Sequence, residues 1–154
     1  MLRYCNCSIV FQEVPDEVTL AVNISGCPNR CPGCHSPWLL EDEGEPLTDD
    51  NLHALINRYA GEITCICFMG GDADPAGIQS LSLLAKKSFP GIKTAWYSGV
   101  ESLSEYINPE SFDYIKIGPY IEALGGLSSE KTNQRMFRIT GRGNIEDITY
   151  KFRK

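Results

Sequence analysis

Four short apolar runs of this chain each stop at glycine, and that repetition constrains the fold more than any other feature. VTLAVNISG ends at Gly26, ITCICFMGG at Gly70 and Gly71, IKTAWYSG at Gly99 and FDYIKIG at Gly118. In the first, Val18, Leu20, Val22 and Ile24 alternate with Thr19, Ala21, Asn23 and Ser25, which is the period of a half-buried strand. The second, Ile63 to Met69, is apolar enough for a buried one. Helical patterns lie between the runs. Thr48 or Asp49 can cap a helix whose Leu52, Leu55, Ile56 and Tyr59 fall on one side before Gly61 stops it. Asp74 can cap a second, with Pro75 at its first position and Ile78, Leu81 and Ala85 inward, and VESLSEYI reads as a short third. Strand and helix alternate, so the expected class is α/β with a largely parallel sheet. Ligands of such sheets gather at the carboxyl ends of the strands, and all four glycine turns fall on that edge.

Composition narrows the classes. No repeat, low-complexity tract or linker divides the 154 residues, so residues 1–154 read as one domain. Hydrophobic residues at 42% and charged residues at 22% supply a single core and argue against disorder. A formal net charge of -6 argues against a domain held to nucleic acid or anionic membrane mainly by charge. No run reaches the ~18 apolar residues of a membrane span. MLRYCNCSIV carries no signal-peptide pattern, and the expected location is the cytoplasm. Seven cysteines are an odd number, which excludes a complete disulfide framework. Clustered thiolates in a reducing compartment point to metal.

The cluster is GCPNRCPGCHSPW, where Cys27, Cys31 and Cys34 are spaced C-x3-C-x2-C. Pro28, Pro32 and Gly33 rule out a helix there and let the chain wrap closely around a compact inorganic group. A structural zinc site needs four protein ligands. His35 adjoins Cys34, so chelation of one ion by both is strained. Cys65 and Cys67 share one face of a buried run. A cubane iron–sulfur cluster has four irons, and three thiolates leave one of them open to a small molecule. The pairs Cys5/Cys7 and Cys65/Cys67 read as buried small hydrophobes; a second metal site would need the first strand to lie near the strand Ile63 to Met69.

CPNRCPGC resembles the C-x3-C-x2-C signature of the radical S-adenosylmethionine enzymes, and FMGGDADP resembles the glycine-rich turn that follows their second core strand, with Ala73 and Asp74 inserted before Pro75. Further phrases are similar to one family within them, the anaerobic ribonucleoside-triphosphate reductase activating proteins. These are Trp38 soon after the cysteines, Gly44-Glu45-Pro46-Leu47-Thr48, KTAWYSG, DYIKIGPYIEAL with Ile117 at an often acidic position, and TNQRMFRI. The resemblance runs from about residue 15 to residue 139. Residues 140–154 carry nothing assignable.

The resemblance implies a small, incomplete barrel, open on one side, with helices on its outer face and an exposed apolar or mixed docking patch near the cluster. It implies a 4Fe-4S cluster held by Cys27, Cys31 and Cys34, with S-adenosylmethionine on the fourth iron. Reductive cleavage of that cofactor gives a 5′-deoxyadenosyl radical, which takes hydrogen from a glycine of the reductase catalytic subunit. A low-potential donor such as flavodoxin or ferredoxin would supply the electron; nucleic acid and membrane are not implied. Gly33, Cys34 and His35 would lie near the adenine, Gly70, Gly71 and Asp72 near the methionine, and Ser98 near the ribose. Trp38 reads as packing against the cysteine loop, and Asn133, Gln134 and Arg135 as contacts to partner or cofactor, or as caps and surface. Other glycyl-radical activases, small-molecule radical enzymes and a non-catalytic iron–sulfur or zinc module remain as alternatives.

Overall fold

The computed structural model describes residues 2–11, 13–24, 45–101, 107–119, 121, 123–140 and 144–152, without the side chains of Cys5 and Asn6. Eight strands form one sheet: β1 Arg3–Val10, β2 Thr19–Ile24, β3 Glu45–Pro46, β4 Cys65–Met69, β5 Lys93–Tyr97, β6 Tyr114–Ile117, β7 Arg135–Thr140 and β8 Asn144–Asp147. Two helices, α1 Asp49–Tyr59 and α2 Pro75–Ser88, enter before β4 and β5. The spatial order is β3-β1-β2-β4-β5-β6-β7-β8. β3 and β8 lie at opposite ends of that order, so the sheet is open.

The four glycine-terminated runs are the parallel centre, β2-β4-β5-β6. The flanks are not parallel: β1 runs antiparallel to both β2 and β3, and β7 to both β6 and β8. The largely parallel sheet expected from the sequence is therefore a mixed one, because each end of the chain returns as an antiparallel neighbour instead of crossing over through a helix. β3 is a two-residue edge strand in which Glu45 and Pro46 pair with Tyr4 and Arg3. The third predicted helix falls mostly on residues outside those described; beyond it Pro109–Ser111 make one 3-10 turn.

Both helices start as their caps dictate. Thr48 accepts from the Asn51 N–H at 3.2 Å, and Asp74 accepts from the Gly77 N–H at 3.1 Å with Pro75 following. Leu52 and Ile56 of α1 and Ile78, Leu81 and Ala85 of α2 turn inward. They meet one face of the sheet, made by Leu20, Val22 and Ile24, then Ile66 and Phe68, then Trp96 and Ile115. Strand alternation sends the other residues to the opposite face. There Cys65, Cys67, Ala95, Tyr114 and Met136 form a second core. No helix covers it among the described residues. Val14 closes it from one side and Ile148 from the other, with Leu127 and Phe152 at its margin. Residues 144–152, which the sequence left unassigned, form an edge strand and a 3-10 turn at Thr149–Phe152, and Ile148 and Phe152 among them pack on the thiol-bearing face. Thr149 pins them by accepting from the Met136 N–H at 2.9 Å.

No helix among the described residues is long and apolar enough to cross a membrane.

Candidate functional site

The carboxyl edge of the parallel strands is organised around the exit of β4. Gly70 and Gly71 have φ of 108° and 92°, a region that other L-residues enter only with strain. Their missing side chains also make room. A Cβ on Gly70 would sit 3.1 Å from the Ile24 carbonyl oxygen at the end of β2, and one on Gly71 would sit 2.5 Å from Ile78 Cδ1. The core holds this turn from below: Trp96, stacked on Phe112 at 5.5 Å, donates its indole N–H to the Gly70 carbonyl at 2.7 Å. The Gly70 N–H donates to the Tyr97 carbonyl at 3.0 Å.

Asp72 follows, half-buried. Its Oδ1 accepts from the Ser98 hydroxyl at 2.5 Å and its Oδ2 from the Gly99 N–H at 2.7 Å. Asp72 and Ser98, which the sequence had on two separate turns, are in direct contact. Ser98 is fully buried, and its Oγ also accepts from the Val100 N–H at 3.2 Å, so its chemistry is exerted on the carboxylate. The Ala73-Asp74 insertion supplies the N-cap of α2, which leaves Asp72 free of that duty. A carboxylate held at both oxygens by the neighbouring turn has a fixed direction, and an ionised carboxylate is an acceptor suited to an ammonium or other donor.

Lys116 belongs to the same edge and was not singled out from the sequence. It is 7% exposed, donates to the Ser98 carbonyl at 3.1 Å and the Gly118 carbonyl at 2.8 Å, and lies 5.8 Å from the centre of the Tyr97 ring. In the run YIKI alternation alone sets it apart from Ile115 and Ile117, and its pairing with Tyr97 turns it inward. Gln134 is buried and donates to the Gly118 carbonyl at 3.4 Å, Asn133 donates to the Pro119 carbonyl at 3.0 Å, and Arg135 is exposed beside Asp147 at 3.6 Å. Of the TNQR phrase, Asn133 and Gln134 therefore brace the β6 exit and Arg135 joins the surface.

Beneath the edge, the opposite face carries Cys67 and Cys65, both fully buried. Burial pushes both thiols up, reinforced at Cys65 by Glu17 and at Cys67 by Cys65. Burial likewise pushes up the Tyr97 phenol, which donates to the Glu13 carbonyl. Cys7 packs against the helix-covered face, on the other side of the sheet from Cys65 and Cys67. Cys7 therefore does not converge with Cys65 and Cys67 on one metal site. Among the described residues no group of three or more His, Cys, Asp or Glu is placed to hold a metal ion. Cys27, Cys31, Gly33, Cys34, His35 and Trp38 lie outside the described residues, between Ile24 and Glu45 in the sequence.

A groove of about 650 Å³ opens nearby between the first turns of α1 and α2. Leu2, Leu47 and Leu81 line it together with Asp49, Asp50 and Asp74.

No family model, curated protein or solved structure matches this chain.

Proposed function

We propose that the chain is a radical S-adenosylmethionine activase that generates a glycyl radical on an anaerobic ribonucleoside-triphosphate reductase. One observation carries the reading. The Gly70-Gly71-Asp72 turn lies against the very end of β2, within 3.1 Å of the Ile24 carbonyl for a Cβ on Gly70, and the C-x3-C-x2-C stretch begins three residues beyond Ile24. A thiolate-rich segment and a glycine-lined, carboxylate-bearing turn thus start from adjacent strand ends. An electron carrier has no use for the second of these; a protein that binds an amino-acid cofactor beside a cluster needs both.

In this reading the open mixed sheet is an incomplete radical-enzyme barrel. Cys27, Cys31 and Cys34 would hold a 4Fe-4S cluster, with Gly33 and His35 beside the adenine. The donor set fits, because three thiolates leave one iron for a ligand. Bound together, cluster and S-adenosylmethionine supply a 5′-deoxyadenosyl radical. Gly70 and Gly71 let the backbone approach the methionine end, and Asp72, steadied by Ser98 and Gly99, orients its ammonium. Val14, Ile148 and Phe152 pack against the thiol face, and a chain this small relies on a partner for part of the enclosure around its substrate. A substrate is then presented from outside, as a glycine-bearing loop of a partner protein would be. The groove by α1 and α2 adjoins Asp74 and has the mixed apolar and polar lining of a docking patch. A cytoplasmic setting with a flavodoxin or ferredoxin as electron source follows from the same chemistry.

Electron paramagnetic resonance of anaerobically reconstituted, reduced protein tests this. A reduced cluster signal that changes on adding S-adenosylmethionine supports the reading. A chain that takes up no iron, or a signal indifferent to the cofactor, replaces it with a zinc or electron-transfer module.

A further inference from the structure

The proposed function gives no task to Lys116, although this charged side chain is buried among the carboxyl-edge turns. It points to the thiol-bearing face of β6 in register with Tyr97. Burying an ammonium is unfavourable unless acceptors surround it, and an apolar residue would fill the same space without that cost. Its bonds are specific. The Ser98 N–H donates to the Lys116 carbonyl at 2.9 Å, and the Ser98 carbonyl accepts from Lys116 Nζ at 3.1 Å, so Ser98 is held to Lys116 twice. A further Nζ contact, to the Gly118 carbonyl at 2.8 Å, ties in the exit of β6. Gly118 in turn donates its N–H to the Val100 carbonyl at 2.7 Å, closing the far side of the Ser98–Val100 turn. The Ser98 hydroxyl and the Gly99 N–H both grip Asp72, and both sit inside this clamp.

We infer that Lys116 is a positioning residue: by holding the Ser98 and Gly118 carbonyls it fixes the Ser98–Gly99 turn and thereby the direction in which Asp72 presents its carboxylate. The effect on turn order stands on the geometry alone; the effect on cofactor affinity rests on the proposed function.

Amide hydrogen exchange of the cluster-free protein reads the first effect, comparing Gly99 with Phe68 in the middle of β4. In Lys116→Met, which keeps the chain length and removes the charge, Gly99 exchanges about tenfold faster relative to Phe68, the scale expected for loss of a charged hydrogen bond. In Lys116→Arg, which keeps charge and donors, it stays within about threefold of wild type. Unchanged Gly99 protection in Lys116→Met overturns the inference. Should that variant not fold, Lys116→Gln carries the same expectation and the same refutation. Calorimetric titration of the reconstituted proteins with S-adenosylmethionine reads the second effect. Lys116→Met binds about tenfold more weakly and Lys116→Arg close to wild type; equal affinity in Lys116→Met overturns the positioning role. A wild-type protein that binds no S-adenosylmethionine sinks the proposed function instead and leaves the exchange measurement to decide on Lys116.

Discussion

Replacing Gly71 by alanine probes whether the β4 exit is built around a missing side chain. A Cβ at this position falls 2.5 Å from Ile78 Cδ1 and 2.6 Å from its Cγ1. Ile78 is fully buried and cannot swing into solvent. Two costs add. A φ of 92° strains any residue with a Cβ by about 1–3 kcal/mol, and overpacking a filled core costs about 1–3 kcal/mol more. The sum, about 2–6 kcal/mol, is a large share of the ~5–15 kcal/mol that holds a domain folded. A double-mutant cycle separates the two terms. Ile78→Ala alone costs about 2–5 kcal/mol, but it removes both carbons that the new Cβ strikes, so in the Gly71→Ala background it costs less by the relieved overpacking, about 1–3 kcal/mol. That difference is the coupling, and the double variant stays below Ile78→Ala by the backbone strain that no side-chain change relieves. Urea unfolding of the cluster-free protein, followed by the fluorescence of buried Trp96, measures all four corners. Additivity within about 0.3 kcal/mol, or a Gly71→Ala protein as stable as wild type, refutes the argument.

Asp72→Asn offers one acceptor oxygen where Ser98 and Gly99 both donate, so S-adenosylmethionine affinity of the reconstituted protein drops about tenfold by calorimetry while the urea midpoint of the cluster-free protein moves little. Ile148→Ala uncaps the thiol face and lowers stability by about 2–5 kcal/mol in urea unfolding; a loss under about 1 kcal/mol means that the C-terminal segment does not cover that face in solution. The raised thiols of Cys65 and Cys67 bind protons more tightly in the folded chain than the ~8.5 of a free cysteine. Stability is accordingly full below about pH 8.5 and falls above it by up to ~1.4 kcal/mol per pH unit per thiol. Urea midpoints measured across that window show the slope, and a Cys65→Ala/Cys67→Ala variant with the same slope assigns it elsewhere. Thr48→Ala removes the cap of α1 and costs about 1 kcal/mol, read from the same unfolding curves.

The centre of the fold was legible because its signals are local. Thr48, Asp74 and Pro75 start helices by chemistry confined to one turn, and the glycines after β4 and β6 mark strand exits that need positive φ. The flanks were not legible for a different reason. β7 and β8 carry Arg135, Arg138, Glu146 and Asp147, and their alternation is hidden by charges that pair across the sheet, Arg138 with Glu146 and Arg135 with Asp147. β3 has two residues, too few to show any period. In the site, Asp72 and Ser98 were each visible as a polar residue at a strand end, whereas their contact depends on β4 and β5 being neighbours. Lys116 stayed hidden because a lysine in YIKI reads as a solvated position, until the register of β6 on β5 turns it inward. The opposite-face placement of Cys7 and Cys65 likewise follows from pairing, which single-strand alternation cannot supply.

The thiol face of β4 is sealed by pieces that the ribosome delivers far apart. Asp16, beside the Val14 closure, meets Lys151 at 2.7 Å across 135 residues of sequence. At ~5–20 residues per second of synthesis, roughly 7–27 s separate the two. For the last 84 of those residues, from Cys67 onward, Cys65 and Cys67 stand open on the nascent sheet until residues 144–152 emerge and close them. Metal or oxidant arriving after that closure meets two thiols already shut away.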